Sequence, residues 1–505
     1  MRYLIGIDNG GTFSKAAVFD EQGNQIAVAS EPTATLTPKP GFTERNMDEL
    51  WEANARVIRA AVERSGIDPG HIAGVSFSGH GKGLYLMGED GRPAYHGIVS
   101  TDTRAWEYPE RWKSDGTAQR VYQKTYQEIL ACQPVSLLAW LRDHEPEVLQ
   151  RTQYIFMVKD YIRYMLTGEA YLEYTDSTGG NLVNLETGTF DRELLALFGL
   201  EQVYDKLPPL RRSHELCGKV TRSASEQTLL PEGTPVAAGM FDVDACGIAS
   251  GLCSEQELCM VAGTWAINEF LRREPVLNGT VALNSYYCIP GYYLIEESSP
   301  TSAGNMEWFI RNLMGYEKAD AEAAGGSVYD VTNEWVASID PAESQVLFLP
   351  FLNGSNDDPL AKGTFVGLTA YHGKKHMLRA VYEGVVFSHR THVERLLKNR
   401  QPPSSIRLAG GAARSEVWVQ MFADALGLPI DVIDGKELGA QGAAMAAGIA
   451  AGVYRDYEEA AARTVRVSKT VLPRPEYKAV YDQKYTAYCA LTQALRGVWS
   501  RFENE

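Results

Sequence analysis

RYLIGIDNGGTFSKAAVFD, residues Arg2 to Asp20, is the stretch on which the fold turns. It reads as an apolar strand, a tight turn at Asn9-Gly10-Gly11, and a second strand with a polar entry. GNQIAVASEP (Gly23–Pro32) extends this into a three-strand meander. The same phrase returns in the second half. ELCMVAGTWAINEFL (Glu257–Leu271) gives strand, Gly263-Thr264 turn and strand, again with a hydroxyl beside glycine. Later, IRLAGGAARSEVWVQMFADALGLPIDVI (Ile406–Ile433) reads strand, glycine turn, helix, strand, the order of phosphate-binding turns in α/β proteins. Two halves that each open on a strand–glycine–strand unit predict a duplicated α/β domain.

The length of 505 residues fits two large domains better than one core. Hydrophobic residues at 45% and charged residues at 22% give the balance of a globular chain. The net charge of −16 argues against nucleic-acid binding, which needs a basic face. No run approaches the roughly 20 apolar residues of a membrane span. The opening MRYLIGIDNGG enters a strand at once and leaves no room for a signal peptide. The seven cysteines are scattered without a CxxC, so reduced thiols in the cytoplasm are expected.

Between the strands, MDELWEANARVIRAAVERSG (Met47–Gly66) spaces Trp51, Ala55, Ile58 and Val62 as one helical face and stops on glycine. HIAGVSFSGH and GLYLMGEDGRPAYHGIVS return to strands, and Thr103 to about Gly168 reads as mostly helical.

Three glycine turns are candidates for phosphate contact. At Gly10, Gly11 and Thr12 the missing Cβ atoms allow close approach, with Ser14 as a further hydroxyl and Lys15 as a compensating charge. Gly263-Thr264 is the second turn. Gly410-Gly411-Ala412, followed by Ser415 and a helix, is the third. Asp8, at a strand end, is a candidate Mg²⁺ ligand. A Walker sequence, a strict GxGxxG and a GxSxG are all lacking. His389 and His392, three apart on an expected helix, lack further zinc ligands nearby and read as a packed or solvated face. Trp106, Trp112 and Trp140 read as packing residues.

PVAAGMFDVDACGIASG (Pro235–Gly251) sets two aspartates in an otherwise small, apolar run. Asp242 is expected to end the strand VAAGMF and to face ligand, as carboxylates at strand mouths of open α/β sheets do, with a plain helix cap as the alternative. Asp244, in the first helical turn, is expected to cap free amides.

Together these segments resemble the FGGY family of carbohydrate kinases over nearly the whole chain. IDNGGTFSKA matches the family's DxGTTxxK-like phosphate motif, with Gly11 where threonine is common. LAGGAARSEVWVQMFADALGLPI is similar to its signature GGGAxSxxWxQxxADxxGxPV, and ELGAQGAAMAAG and YEGVVFSHR have their counterparts. The resemblance implies two actin/hexokinase-like (ribonuclease H-like) domains, 1–244 for sugar and the first phosphate turn and 245–505 for ATP, with ATP and sugar in the cleft between them. It makes Asp242 the general base, and His80, Lys82, Asp102, Arg104 and Asp176 the sugar contacts. ATP and Mg²⁺ are the implied cofactors, and a homodimer or homotetramer the implied assembly. Two departures stand out: His80 where relatives often carry glutamine, and PFLNGSNDDP (Pro350–Pro359) where they read PYLxGERxP.

GKGLYL, PVSLLAWLRDHEPE and SPTSAGNMEWF look most like the L-xylulose kinase branch. The implied reaction is phosphorylation of an open-chain ketopentose, L-xylulose first. D-xylulose, ribulose, 3-keto-gulonate, erythritol and glycerol stand as alternatives. A non-catalytic actin-like ATPase or sugar sensor is the competing class; such sensors usually add a basic helix-turn-helix, which this N-terminus lacks.

Overall fold

The computed structural model describes residues 1–281, 283–355, 357, 358 and 360–502. Asn356 and Pro359 of the PFLNGSNDDP segment therefore lie outside the described residues. The chain forms two compact units. One comprises 1–254, 271–295 and 437–465; the other comprises 255–270, 296–436 and 466–505. Neither is a continuous segment.

The first unit is built on a mixed sheet in the order Leu216–Lys219, Pro235–Ala237, Ile72–Gly79, Tyr3–Asn9, Phe13–Asp20, Gln25–Pro32. Tyr3–Asn9 runs antiparallel to Phe13–Asp20 across the glycine turn and parallel to Ile72–Gly79. The helix Met47–Ser65 covers the sheet with Leu50, Trp51, Ile58 and Val62. It begins at Asn46, whose side chain accepts the Asp48 and Glu49 amides, and ends at Gly66 in the left-handed region. The other face takes the helix Leu438–Ala450, a run of glycine and alanine that lets main chains touch. A Cβ on Gly6 would lie 1.7 Å from the Ala440 carbonyl oxygen, and one on Gly442 would lie 2.2 Å from that of Ala245.

The second unit repeats the plan. Five strands of its sheet run Ala266–Arg272, Cys259–Ala262, Ile406–Ala409, Ile430–Ile433, Val467–Val471. Cys259–Ala262 is antiparallel to its hairpin partner and parallel to Ile406–Ala409, the same relation as in the first unit. The helices Lys374–Leu397, Glu416–Leu426 and Lys478–Trp499 supply the apolar packing, with Trp418 stacked 4.1 Å from Tyr382. The internal echo of the sequence is thus an echo of strand pairing, and the fold is a two-domain α/β architecture.

The stretch expected to be mostly helical is interrupted. A short strand, Thr152–Phe156, pairs with Tyr85–Gly88 between the helices Pro146–Arg151 and Val158–Thr167. Tertiary pairing overrides the local helical reading there. Trp112 packs in the core, but Trp106 is 60% exposed and is no packing residue.

Candidate functional site

Asp242 does not end a strand. The strand breaks at Gly239, whose φ of +88° and closeness to the Phe77 carbonyl oxygen admit only glycine. It resumes as Met240–Phe241, and Asp242 is then the first residue of the helix Asp242–Ala249. The junction is held from below: the Phe241 N–H donates to Thr175 Oγ1 at 2.9 Å, and Thr175 Oγ1 donates to Glu173 at 2.7 Å. Asp244 lies in the first turn of this helix, as expected. It is fully buried, and its Oδ1 accepts the Cys288 backbone N–H at 2.9 Å, tying the helix to a distant segment.

The loop His80–Gly83 packs against this junction. A Cβ on Gly81 would stand 2.4 Å from the Phe241 ring. Lys82 takes a left-handed φ of 67°, uncommon for a residue with a Cβ and a mark of local strain. Its N–H donates to Asp176 Oδ1 at 3.1 Å. Asp176 Oδ2 meets Lys159 Nζ at 3.0 Å, and Lys159, fully buried, also faces Asp160 and Glu173. Burial pushes the Asp176 carboxyl above its ordinary range, opposed by the Lys159 charge. Burial also works against the Lys159 ammonium, but its three carboxylates raise its pKa overall. Sequence reading missed Lys159; its only signal was the polar pair KD opening an apolar helix.

His80 is buried beside Tyr85, with Nε2 3.1 Å from the phenol oxygen. Burial first, then the Arg45 charge, pushes its pKa down to about 3, so the imidazole is neutral. Asp102 and Arg104 engage each other at 2.8 Å; Arg104 also takes Glu44 at 2.7 Å, and Asp102 accepts the Thr43 amide. The Arg104 guanidinium lies 4.0 Å over the Phe42 ring and 5.2 Å from that of Trp140, with its side chain wholly buried. This pair braces a loop rather than facing solvent.

Around the first glycine turn, Gly10, Gly11 and Thr12 link the two strands, and Ser14 is buried with its hydroxyl donating to Asn9 at 3.2 Å. Lys15 pairs with Glu437 at 2.8 Å. Asp8 accepts the Ser78 hydroxyl at 2.6 Å, and its other oxygen stands 2.8 Å from where a Gly439 Cβ would be. Burial raises its pKa, with Ser78 and Lys15 opposing.

In the second unit the other two turns meet. Gly410, at φ +90°, presses on Ala262–Gly263, where a Cβ would come within 2.7 Å of the Ala262 carbonyl. Gly411 and Ala412 then enter a short 3₁₀ turn. Ser415 caps the helix Glu416–Leu426 by accepting the Trp418 amide, and its hydroxyl donates to Asn333 at 2.5 Å. The Gly263 and Thr264 carbonyls accept the Ala303 and Ser302 amides. Ser302 in turn donates to His389 Nε2 at 2.8 Å, and His389 Nδ1–H donates to Asn268 at 2.9 Å. His392 faces Glu297 at 3.2 Å. The two histidines are packing residues, and His389 is also the prop of the Gly263-Thr264 turn. Among the described residues no group of three His, Cys, Asp or Glu is placed to hold a metal ion.

These turns and strand pairings coincide with two known domains. The N-terminal domain of FGGY carbohydrate kinases matches residues 3–249, and the C-terminal domain matches 258–451. The chain belongs to the FGGY family of carbohydrate kinases. It is similar to a probable L-xylulose kinase of Pasteurella multocida, 39% identical over 499 residues that cover 99% of this chain and 100% of that protein. The L-xylulose/3-keto-L-gulonate kinase of Escherichia coli is 37% identical, covering 99% of each. A ligand-bound xylulose kinase from Lactobacillus acidophilus superposes with a TM-score of 0.90 at 25% identity, covering 100% of each chain. As a member of this FGGY family the chain is an enzyme, a sugar kinase. No described helix is long and apolar enough to cross a membrane.

Proposed function

We propose that this kinase transfers the γ-phosphoryl group of ATP to a hydroxyl of L-xylulose. The observation that carries the reading is the junction at Asp242, a carboxylate at a helix start whose preceding residue is fixed by Thr175 and packed against the His80–Gly83 loop. Asp242 acts as general base on the attacking hydroxyl, a contribution of about 10²- to 10⁴-fold, and positioning supplies most of the remainder. His80, Lys82 and Asp176 contact the sugar; a neutral His80 serves as a hydrogen-bond partner, not a charge. Asp102 and Arg104 act on the sugar through the loop they brace. Gly10, Gly11, Thr12, Ser14 and Lys15 approach phosphate from residues 1–244. Gly263, Thr264, Gly410, Gly411, Ala412 and Ser415 belong to the nucleotide side in 245–505.

Asp8, with no group of three His, Cys, Asp or Glu gathered to hold a metal among the described residues, fits a Mg²⁺ that arrives on nucleotide phosphates and keeps several waters. Asp8 would hold it, and the ion would neutralise charge on the transferring group. A cytoplasmic homo-oligomer completes the proposal, on the family resemblance alone.

The similarity to a kinase named for both L-xylulose and 3-keto-L-gulonate makes the sugar acid the second substrate to try. ADP release is measured with L-xylulose, 3-keto-L-gulonate, D-xylulose, ribulose, erythritol and glycerol. The highest kcat/KM is expected with L-xylulose; ATP turnover indifferent to every sugar sinks the reading. Asp242→Asn abolishes transfer while ATP still binds. Asp244→Ala leaves the Cys288 amide unpaired and costs about 1–3 kcal/mol of stability, with catalysis retained.

A further inference from the structure

Arg45 is 1% exposed, yet among the described residues no carboxylate stands at ion-pair distance from it. Its neighbour Arg104 is treated quite differently, taking both Glu44 and Asp102. The Arg45 guanidinium instead donates to the main chain of the first glycine turn, through Nη2 to the Gly11 carbonyl and through Nη1 to the Gly10 carbonyl at 3.5 Å. Its Nε has no partner among the described residues, and the side chain lines a cavity of about 250 Å³ with Thr33, Asn46 and Glu49. A buried guanidinium without a counter-charge is costly to hold, so its position calls for a function.

Peptide geometry supplies one. In a planar trans peptide each carbonyl points opposite to the N–H of the next residue. Drawing the Gly10 and Gly11 carbonyls onto Arg45 therefore turns the N–H groups of Gly11 and Thr12 to the far side. The turn is tied at both ends, by Gly10 N–H to Phe13 O at 3.1 Å and by Thr33 N–H to Thr12 O at 2.9 Å. Gly11 and Thr12 are exposed, and no acceptor among the described residues takes their amides. A cation behind two aligned peptide units also polarises them, which strengthens both outward donors.

We propose that Arg45 is a positioning residue for phosphoryl transfer, gripping the Gly10-Gly11 turn from inside so that the Gly11 and Thr12 amides present to phosphate. This rests on reading Gly10–Thr12 as a phosphate turn of an ATP-dependent sugar kinase. Preorganised donors aimed at developing charge are worth a hundredfold or more in rate, and here a buried side chain sets their aim.

The test compares wild type, Arg45→Gln and Arg45→Lys in kcat, KM for ATP, KM for sugar and thermal stability. Arg45→Gln should lower kcat/KM for ATP by roughly 10²-fold with the sugar KM within about twofold. Arg45→Lys keeps the charge but not the fork that spans two carbonyls, and should recover about tenfold of that loss. Parallel losses for ATP and sugar that follow a lowered melting temperature assign Arg45 to folding alone and overturn the proposal. Unchanged ATP kinetics in Arg45→Gln overturn it too. If Arg45→Gln does not fold, Arg45→Lys decides: a selective ATP-side loss supports the role, and wild-type ATP kinetics refute it. A wild-type protein that phosphorylates no sugar refutes the kinase reading itself, whereas an active wild type with insensitive variants refutes only the part given to Arg45.

Discussion

Replacing Gly81 by alanine tests whether the His80–Gly83 loop sets the position of Asp242, the proposed general base. The new Cβ would stand 2.4, 2.7 and 2.9 Å from three carbons of the Phe241 ring, against an ordinary contact of 3.4–4 Å. The ring must therefore retreat by about 1 Å, given how little close-packed interiors yield. The Phe241 main chain cannot share the movement freely. Its N–H is held by Thr175, and its strand is paired with Gly79. The ring is only 8% exposed, so the strain goes into an off-rotamer side chain and into the next residue, Asp242. Overpacking of this kind costs about 1–3 kcal/mol. A displacement near 1 Å at a reacting carboxylate costs about 10²-fold in rate. Gly81→Ala should thus lower kcat at saturating ATP and sugar by roughly 10²-fold, measured by coupled ADP release, with a melting temperature reduced by a few degrees. Gly81→Ala with Phe241→Leu restores room and should recover about tenfold. A single variant with kcat within about twofold of wild type, or a double variant no better than the single, refutes the argument that Phe241 carries the loop's position to Asp242.

Two further perturbations address the proposed nucleotide side and acid stability. Gly410→Ala forces a side chain into a φ of +90° and against the Ala262 carbonyl; the KM for ATP should rise at least about tenfold with the sugar KM unchanged, and an ATP KM within about twofold of wild type removes this turn from the nucleotide site. His80 and His389 are both held down to about 3, chiefly by burial, so each is neutral in the fold while the unfolded chain takes a proton below 6.5. Because the unfolded state binds more protons, stability is complete above pH 6.5 and falls as pH drops toward 3, by about 1.4 kcal/mol per pH unit for each histidine. His389→Gln should remove one such contribution from the slope between pH 6.5 and 4.5 in urea unfolding; an unaltered slope counts against it.

The two-domain plan was legible because its signal is local. An apolar run, a glycine turn and a second run report a hairpin wherever they occur, and the chain contains the phrase twice. Asp242 stood out in the sequence, but its place in the fold did not. The strand break at Gly239 depends on the Phe77 carbonyl, more than 150 residues earlier, and no local pattern records that contact. The first-turn place of Asp244 was legible, but its hold on the Cys288 amide was not, since that partner is 44 residues away in the sequence. Lys159 and Arg45 escaped entirely. A buried charge is defined by what surrounds it, and the carboxylates around Lys159, like the carbonyls around Arg45, are assembled only by folding. His389 was read as on a packed or solvated face; it is packed, and its hold on Ser302 needed the hairpin to be in place.

The helix Leu438–Ala450 carries a consequence for how this chain is made. It belongs to the first compact unit although it is encoded near the other end, and it covers a sheet whose glycines leave main chain bare without it. On the ribosome, residues 1–254 emerge long before this segment. The sheet face at Gly6 and Gly74 must wait about 200 residues for its cover, roughly 10–40 s at ordinary elongation rates. During that interval the nascent first unit presents an open, aggregation-prone surface, a natural client for a chaperone that engages chains during synthesis. A gene truncated before Glu437 should yield insoluble product rather than a free-standing amino-terminal half.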